Sequence, residues 1–205
     1  MMYTRIMLAV TYANEFIRAS SKSSDAEVQT FAAEARFLRA LAYYHALDLF
    51  GNISFVTEAD LPGAFFPKQI NRSDLFNYIE GELTAIETLL GEPKFEYGRA
   101  DKAALWMLQA KLYMNAEVYI HSAKYTECLT ALNKVIGSAK YSLPTNYVQN
   151  FRADNDTSPE MIFAFNYDAK RSQSYGGMDY VIHGSVCGSM QPGDFGVSSG
   201  WSQIV

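Results

Sequence analysis

Residues 33–58 read AEARFLRALAYYHALDLFGNISFVTE, and most of this run is a helix written for burial on more than one side. Phe31, Ala35, Leu38, Ala42, His45 and Leu49 fall at alternating steps of four and three, while Phe37, Leu41 and Tyr44 line a second stripe. A helix that is apolar on two sides is held between neighbours. Its start is expected at Ser24, whose hydroxyl can cap while Glu27 completes a capping box. Its end is expected near Phe50, because Gly51 stands where a left-handed C-terminal residue is wanted. Asn52 to Gln69, with Pro62, Gly63 and Pro67, reads as a loop.

Outward from this helix the pattern repeats. Upstream, Ile6, Val10, Ala13 and Ile17 mark one more helix. Downstream, Phe76, Ile79, Leu83, Ile86 and Leu90 form an apolar face that starts after Asn71–Ser73 and closes at Gly91. Leu105, Leu108, Leu112, Ala116 and Tyr119 mark the next, and Tyr125, Leu129, Leu132 and Ile136 a last one ending at Gly137. Short turns make antiparallel neighbours, so the rhythm of helix pairs, roughly 34 to 45 residues long, is that of helical solenoids. After Tyr141 the texture changes: Met161, Phe163, Phe165 and Tyr167 alternate as a half-buried strand would, and Met178–His183 is a second candidate. Seven of the 13 glycines fall in the last 30 residues, so that part reads as loop-rich. The expected fold is mainly α, with a tetratricopeptide-like helix-pair core (an α-α superhelix) over residues 1–140 and a loop-rich segment with short strands over 141–205, within one domain. The chain stops at Ile204 and Val205 without a closing element, and is expected to be a piece of a longer protein.

Composition excludes several functions. With 17 basic and 22 acidic residues the formal charge is −5, and no stretch gathers Lys and Arg into the stripe a phosphate backbone requires, so nucleic acid is not an expected partner. The apolar run Ile6–Val10 is too short for a membrane span or a signal-peptide core. Cys128 and Cys187 allow one disulfide at most and match no zinc spacing. No pair of carboxylates is spaced to identify a glycosidase, and His183 and Cys187, four apart, lack a third orienting group. No catalysis is expected. Arg36, Arg39 and Asp48 lie on the long helix, where guanidinium groups can bind carboxylates between layers and fix helix register.

The run 33–58 resembles the signature of the SusD/RagB family of Bacteroidetes outer-membrane lipoproteins. Three further stretches agree in order: DLFNYIEGELTAIETLL (74–90), GRADKAALWMLQAKLYMNAEVY (98–119) and YTECLTALNKVIGSAKYSL (125–143). NYVQNFRADND, PEMIFAF, SYGG and GWS in the remainder look most like the starch-binding branch. The resemblance implies a surface lipoprotein without enzymatic activity that captures oligosaccharides, α-glucans in this branch. It also implies delivery to a TonB-dependent transporter of the SusC type. The lipid anchor, the upstream segment and the long C-terminal region of the family pattern are not in this sequence.

By the same resemblance, Tyr175 in Ser174-Tyr175-Gly176-Gly177 corresponds to a glycan-contacting tyrosine. The physics suits it: a sugar's C–H face stacks on an aromatic ring, and two glycines let the ligand approach the backbone. Tyr180, Lys170 and Arg171, with Asp179, are near enough in sequence to supply orienting polar groups. Trp106 and Trp201 read as packing residues. No cofactor is expected. Asp154 and Asp156 are the candidates for calcium, although an EF-hand loop would need Gly at its sixth position and Glu at its twelfth, where Pro159 and Phe165 stand. The competing function is a tetratricopeptide-like protein-interaction scaffold with no glycan site.

Overall fold

The computed structural model of the protein describes residues 2–60, 63, 66–152, 154–166, 186 and 189–195. Among the described residues six α-helices follow in order: α1 (Met2–Ser20), α2 (Ala26–Phe50), α3 (Arg72–Ile86), α4 (Lys102–Met114), α5 (Ala116–Ile120) and α6 (Tyr125–Gly137). α1 lies along α2, α3 packs on α2 and reaches α4 and α5, and α4 pairs with α6. The chain divides into two compact units, residues 1–164 and 165–205, and the helices belong to the first. In the second, a 3₁₀ turn spans Pro192–Phe195. No helix among the described residues is long and apolar enough to cross a membrane.

Local chemistry sets the helix ends. α2 is capped by Asp25 and not by Ser24: the Asp25 carboxylate accepts the Glu27 N–H at 2.8 Å, and a charged acceptor suits the positive end of a helix better than a hydroxyl. Asn71 caps α3 through the Asp74 N–H, and Asp101 caps α4 through the Ala104 N–H. Gly51 ends α2 at φ 72° and ψ −87°, with its N–H donated to Leu47 O at 3.0 Å. Few side chains tolerate that backbone.

The inward faces match expectation on α1, α3 and α4–α5, in one of the two stripes on α2, and not on α6. On α2 the second expected stripe faces inward, with Phe37 and Tyr44 buried and Leu41 packed on the core, and Ala33, Arg39, Ala40, Ala42, Tyr43, Ala46 and Leu47 are buried beside it; of the first stripe, Phe31, Leu38, His45 and Leu49 are exposed. Large side chains drew the expected stripe, but helices approach most closely over alanines. Phe31 instead lies against the Arg99 guanidinium, 4.8 Å from its ring centre. On α6, Cys128, Ala131 and Val135 face inward and Leu132 is half-buried, while Tyr125, Leu129 and Ile136 are exposed, the last at 74%. Fully burying a residue such as Phe37 or Leu47 contributes about 2 kcal/mol.

The expected loop 52–69 contains a short antiparallel ladder, β1 (Ile53–Ser54) with β2 (Gln69–Ile70), in which Ile53 faces Ile70. Ile53 is buried, which is why two residues suffice. Tyr43 holds the segment after β1: its hydroxyl accepts from Val56 N at 3.0 Å and donates to Val56 O at 2.5 Å. The expected strand at 161–167 is not formed over 161–166. Ile162 and Phe163, adjacent in sequence, both pack on the core, so the side chains do not alternate. Phe163 meets the Phe37 ring edge-on at 5.4 Å. Met178–His183 lies outside the described residues.

Register between helices is fixed by charge, as the arginine pattern on α2 implied. Arg39, 1% exposed, donates to Asn14 of α1 at 2.6 Å, to Glu82 of α3 at 2.8 Å and to Glu58. Arg36 adds a two-pronged bond to Glu82 at 2.8 and 3.1 Å. Burial raises the Glu82 carboxyl, but the hydrogen bonds from Arg36 and Arg39 outweigh it and leave the group below its usual range. Asp48 accepts the Tyr119 hydroxyl at 2.7 Å, tying α2 to α5.

Candidate functional site

A concave site is built around the N-terminus of α4. Pro93 ends the extension from α3, and Lys94–Gly98 makes a tight turn in which Lys94 adopts φ 66° and Gly98 φ 81°. A lysine in the left-handed region is strained. Asp101, 2% exposed, offsets that strain: one carboxylate oxygen accepts the Lys94 N–H at 2.7 Å and the Tyr141 hydroxyl at 3.4 Å, while the other caps α4. Tyr141 in turn accepts the Lys94 N–H at 3.1 Å. Burial beside Asp101 pushes the Tyr141 hydroxyl up to about 12, so it stays neutral.

The opposite wall is the segment 156–164. It is tied by its own polar bonds: Asn150 donates to Glu160 at 2.7 Å, Ser158 donates to Asn150 Oδ1 at 2.6 Å, and Asn155 donates to Asn150 O at 3.2 Å. Between the walls lies a cleft of about 200 Å³, lined by Phe95, Tyr97, Tyr141, Met161 and Phe163 with Lys94, Glu96 and Asp156 among its polar groups. Phe95 and Tyr97 are each half exposed. Phe95 lies over Arg99, 5.0 Å from ring centre to guanidinium, and fills the space above Gly91, whereas Tyr97 makes no ring contact or hydrogen bond among the described residues. The cleft therefore offers an accessible ring, fixed walls and carboxylate acceptors.

A second, shallower depression of about 390 Å³ lies among Phe50, Asn52, Arg72, Tyr119 and His121. Some of its polar groups are already engaged: Asn52 accepts the Arg72 N–H, and Asn71 caps α3. His121 closes α5 at φ 55°.

Tyr175, Tyr180, Lys170 and Arg171, like Asp179, His183, Cys187 and Trp201, lie outside the described residues. Asp154 and Asp156 are described and exposed, and no three His, Cys, Asp or Glu side chains converge as a metal set among the described residues. Trp106 is half-buried against the core and donates to Glu87 at 2.8 Å, in keeping with packing. The ring at Tyr97 was not singled out from sequence. Its signal was the string Pro93-Lys94-Phe95-Glu96-Tyr97-Gly98, aromatics alternating with charges in a turn, where rings have no helical face to join.

No family model matches the chain. Among characterised proteins it is similar to the starch-binding protein SusD of Bacteroides thetaiotaomicron, with 39% identity over 207 residues covering 98% of this chain and 36% of that protein. Its fold matches the surface glycan-binding protein A from Bacteroides uniformis at TM-score 0.70 and 19% identity, over 81% of this chain and 38% of that one. It also matches a laminarin-binding SusD-like protein at TM-score 0.69 and 22% identity, over 79% and 36%. The chain thus spans a little over a third of the length of these proteins.

Proposed function

Because this chain belongs to the SusD-like family, we propose that it captures oligosaccharides at the cell surface, α-glucans of the starch type first among them. The observation that carries the reading is the 39% identity to starch-binding protein SusD along 98% of the chain, with the helix-pair fold in agreement. Capture by contact needs no reacting groups, and the relatives are named as binding proteins. The chain is proposed as a binder and not an enzyme. Tyr175 is the proposed stacking ring, with Tyr180, Lys170 and Arg171 as orienting groups. A lipid-anchored place on the outer membrane, and hand-off to a SusC-like TonB-dependent transporter, complete the proposal.

Calorimetry on the full chain tests it. Maltoheptaose should release heat on binding, laminarihexaose less, and no new reducing ends should appear during incubation. Tyr175→Ala should weaken maltoheptaose binding and leave thermal unfolding unchanged. A second reading, a protein-interaction scaffold, is favoured by the outward apolar stripes Leu8, Tyr12 and Phe16 on α1 and Leu129 and Ile136 on α6. Absence of heat with every glycan, together with saturable binding of another protein, would establish the scaffold instead.

A further inference from the structure

We infer that the cleft between the Lys94–Gly98 turn and the 156–164 segment is an additional saccharide subsite, which takes one neutral pyranose ring. This rests on the glycan-binding reading above and assigns it a second place in the chain.

Size comes first. At about 200 Å³ the cleft is smaller than the roughly 300–1,000 Å³ of sites for drug-sized molecules, so it admits one ring or a chain end. Both walls are already ordered. Asp101 pins the turn through Lys94 N and the Tyr141 hydroxyl, and Asn150 pins the other side through Ser158 and Glu160. A preformed cleft loses little conformational freedom on binding.

The chemistry selects the ligand. Tyr97 presents a half-exposed ring, the surface on which the C–H face of a pyranose stacks. Asp156 is exposed and has no hydrogen bond or ion pair among the described residues, so its carboxylate is available to accept sugar hydroxyls. Glu96 is paired with Arg99 at 3.2 Å, and the Lys94 ammonium stands 5.7 Å from the centre of the Tyr141 ring. Counting the Arg99 guanidinium that pairs with Glu96, three carboxylates, Glu96, Asp101 and Asp156, stand against two cations, Lys94 and Arg99, which leaves a net negative charge at this cleft. A uronate or sulfated sugar would meet like charge there, and a neutral ring does not.

The experiment follows the Tyr97 ring by NMR in the full chain carrying labelled tyrosine, with the signal identified by its loss in Tyr97→Phe. Maltose should shift it saturably, Asp156→Ala should weaken that response about three- to tenfold, and glucuronate should bind at least about tenfold more weakly. Calorimetry with maltoheptaose runs alongside on wild type and Tyr97→Ala. If maltoheptaose binds while the Tyr97 signal stays fixed, the subsite is overturned and the proposed function stands. An equal or stronger response to glucuronate overturns the assignment to neutral sugars. If no glycan binds anywhere, the proposed function fails and this subsite fails with it.

Discussion

Replacing Arg39 with alanine should destabilise the helical unit by about 3 kcal/mol. The guanidinium is 1% exposed and joins three elements: Asn14 on α1, Glu82 on α3 and Glu58 in the segment after β1. Breaking a buried ion pair from one side costs about 3–5 kcal/mol, because the partner charge stays behind in a poorly solvated place. The lower end applies here. Glu58 is 39% exposed and can rehydrate, and Glu82, at 15%, keeps Arg36. Over a unit of this length about 3 kcal/mol corresponds to roughly 6–12 °C in Tm. Thermal unfolding followed by circular dichroism at pH 7 reads this directly. Arg39→Met, which restores apolar volume without the charge, should fall between wild type and Arg39→Ala. A shift below about 2 °C for Arg39→Ala would refute the view that this side chain holds the layers in register.

Other outcomes follow from the same structure. Glu58, Glu82 and Glu87 are each raised by burial but lowered further by donated hydrogen bonds, from Arg39, from Arg36 and Arg39, and from Lys134 and Trp106 respectively. Their net depression adds stability that is present above the unfolded carboxylate range, about pH 4.3, and is lost as pH falls through the folded values. Urea midpoints should therefore be flat from about pH 5 to 7 and drop below about pH 4, with a shallower acid slope in Glu82→Gln. Gly51→Ala should lose about 1–3 kcal/mol, because φ is 72° and a new Cβ would lie 2.8 Å from Arg72 Nη2; chemical denaturation measures it. Asp101→Ala should lose about 3 kcal/mol, by removing the α4 cap and stranding the Lys94 N–H, and Asp101→Asn should lose less.

Much of the helical unit was legible because long apolar periods are a strong signal. Ile6, Val10, Ala13 and Ile17 on α1, and Leu105, Leu108 and Leu112 on α4, are buried as their spacing demands. The phase of α6 and of the first stripe on α2 was not, since Phe31, Leu38, Leu129 and Ile136 outweigh Ala33, Ala40 and Ala131 in any hydrophobic count although the alanines are the buried residues. The β1–β2 ladder is too short for period two to register, and the alternating letters of 161–166 do not fold as a strand, since Ile162 and Phe163 both pack on the core. The cleft was invisible for another reason. Its parts, Tyr97, Asp101, Tyr141 and Asp156, are spread over sixty residues and meet only because Asp101 binds backbone and Tyr141 together.

In the order α1, α2, α3, α4, α6, each helix packs mainly on its immediate neighbours. Such an arrangement behaves as a one-dimensional lattice, in which cohesion is a sum of nearest-neighbour couplings and the outermost layers, coupled on one side only, open first. Amide exchange should accordingly be slowest in α2 and α3 and quicken toward α1 and α6. Anything that seats itself on the outward rows of α1 or α6 would lengthen the lattice by one layer and slow exchange there, leaving the far end untouched.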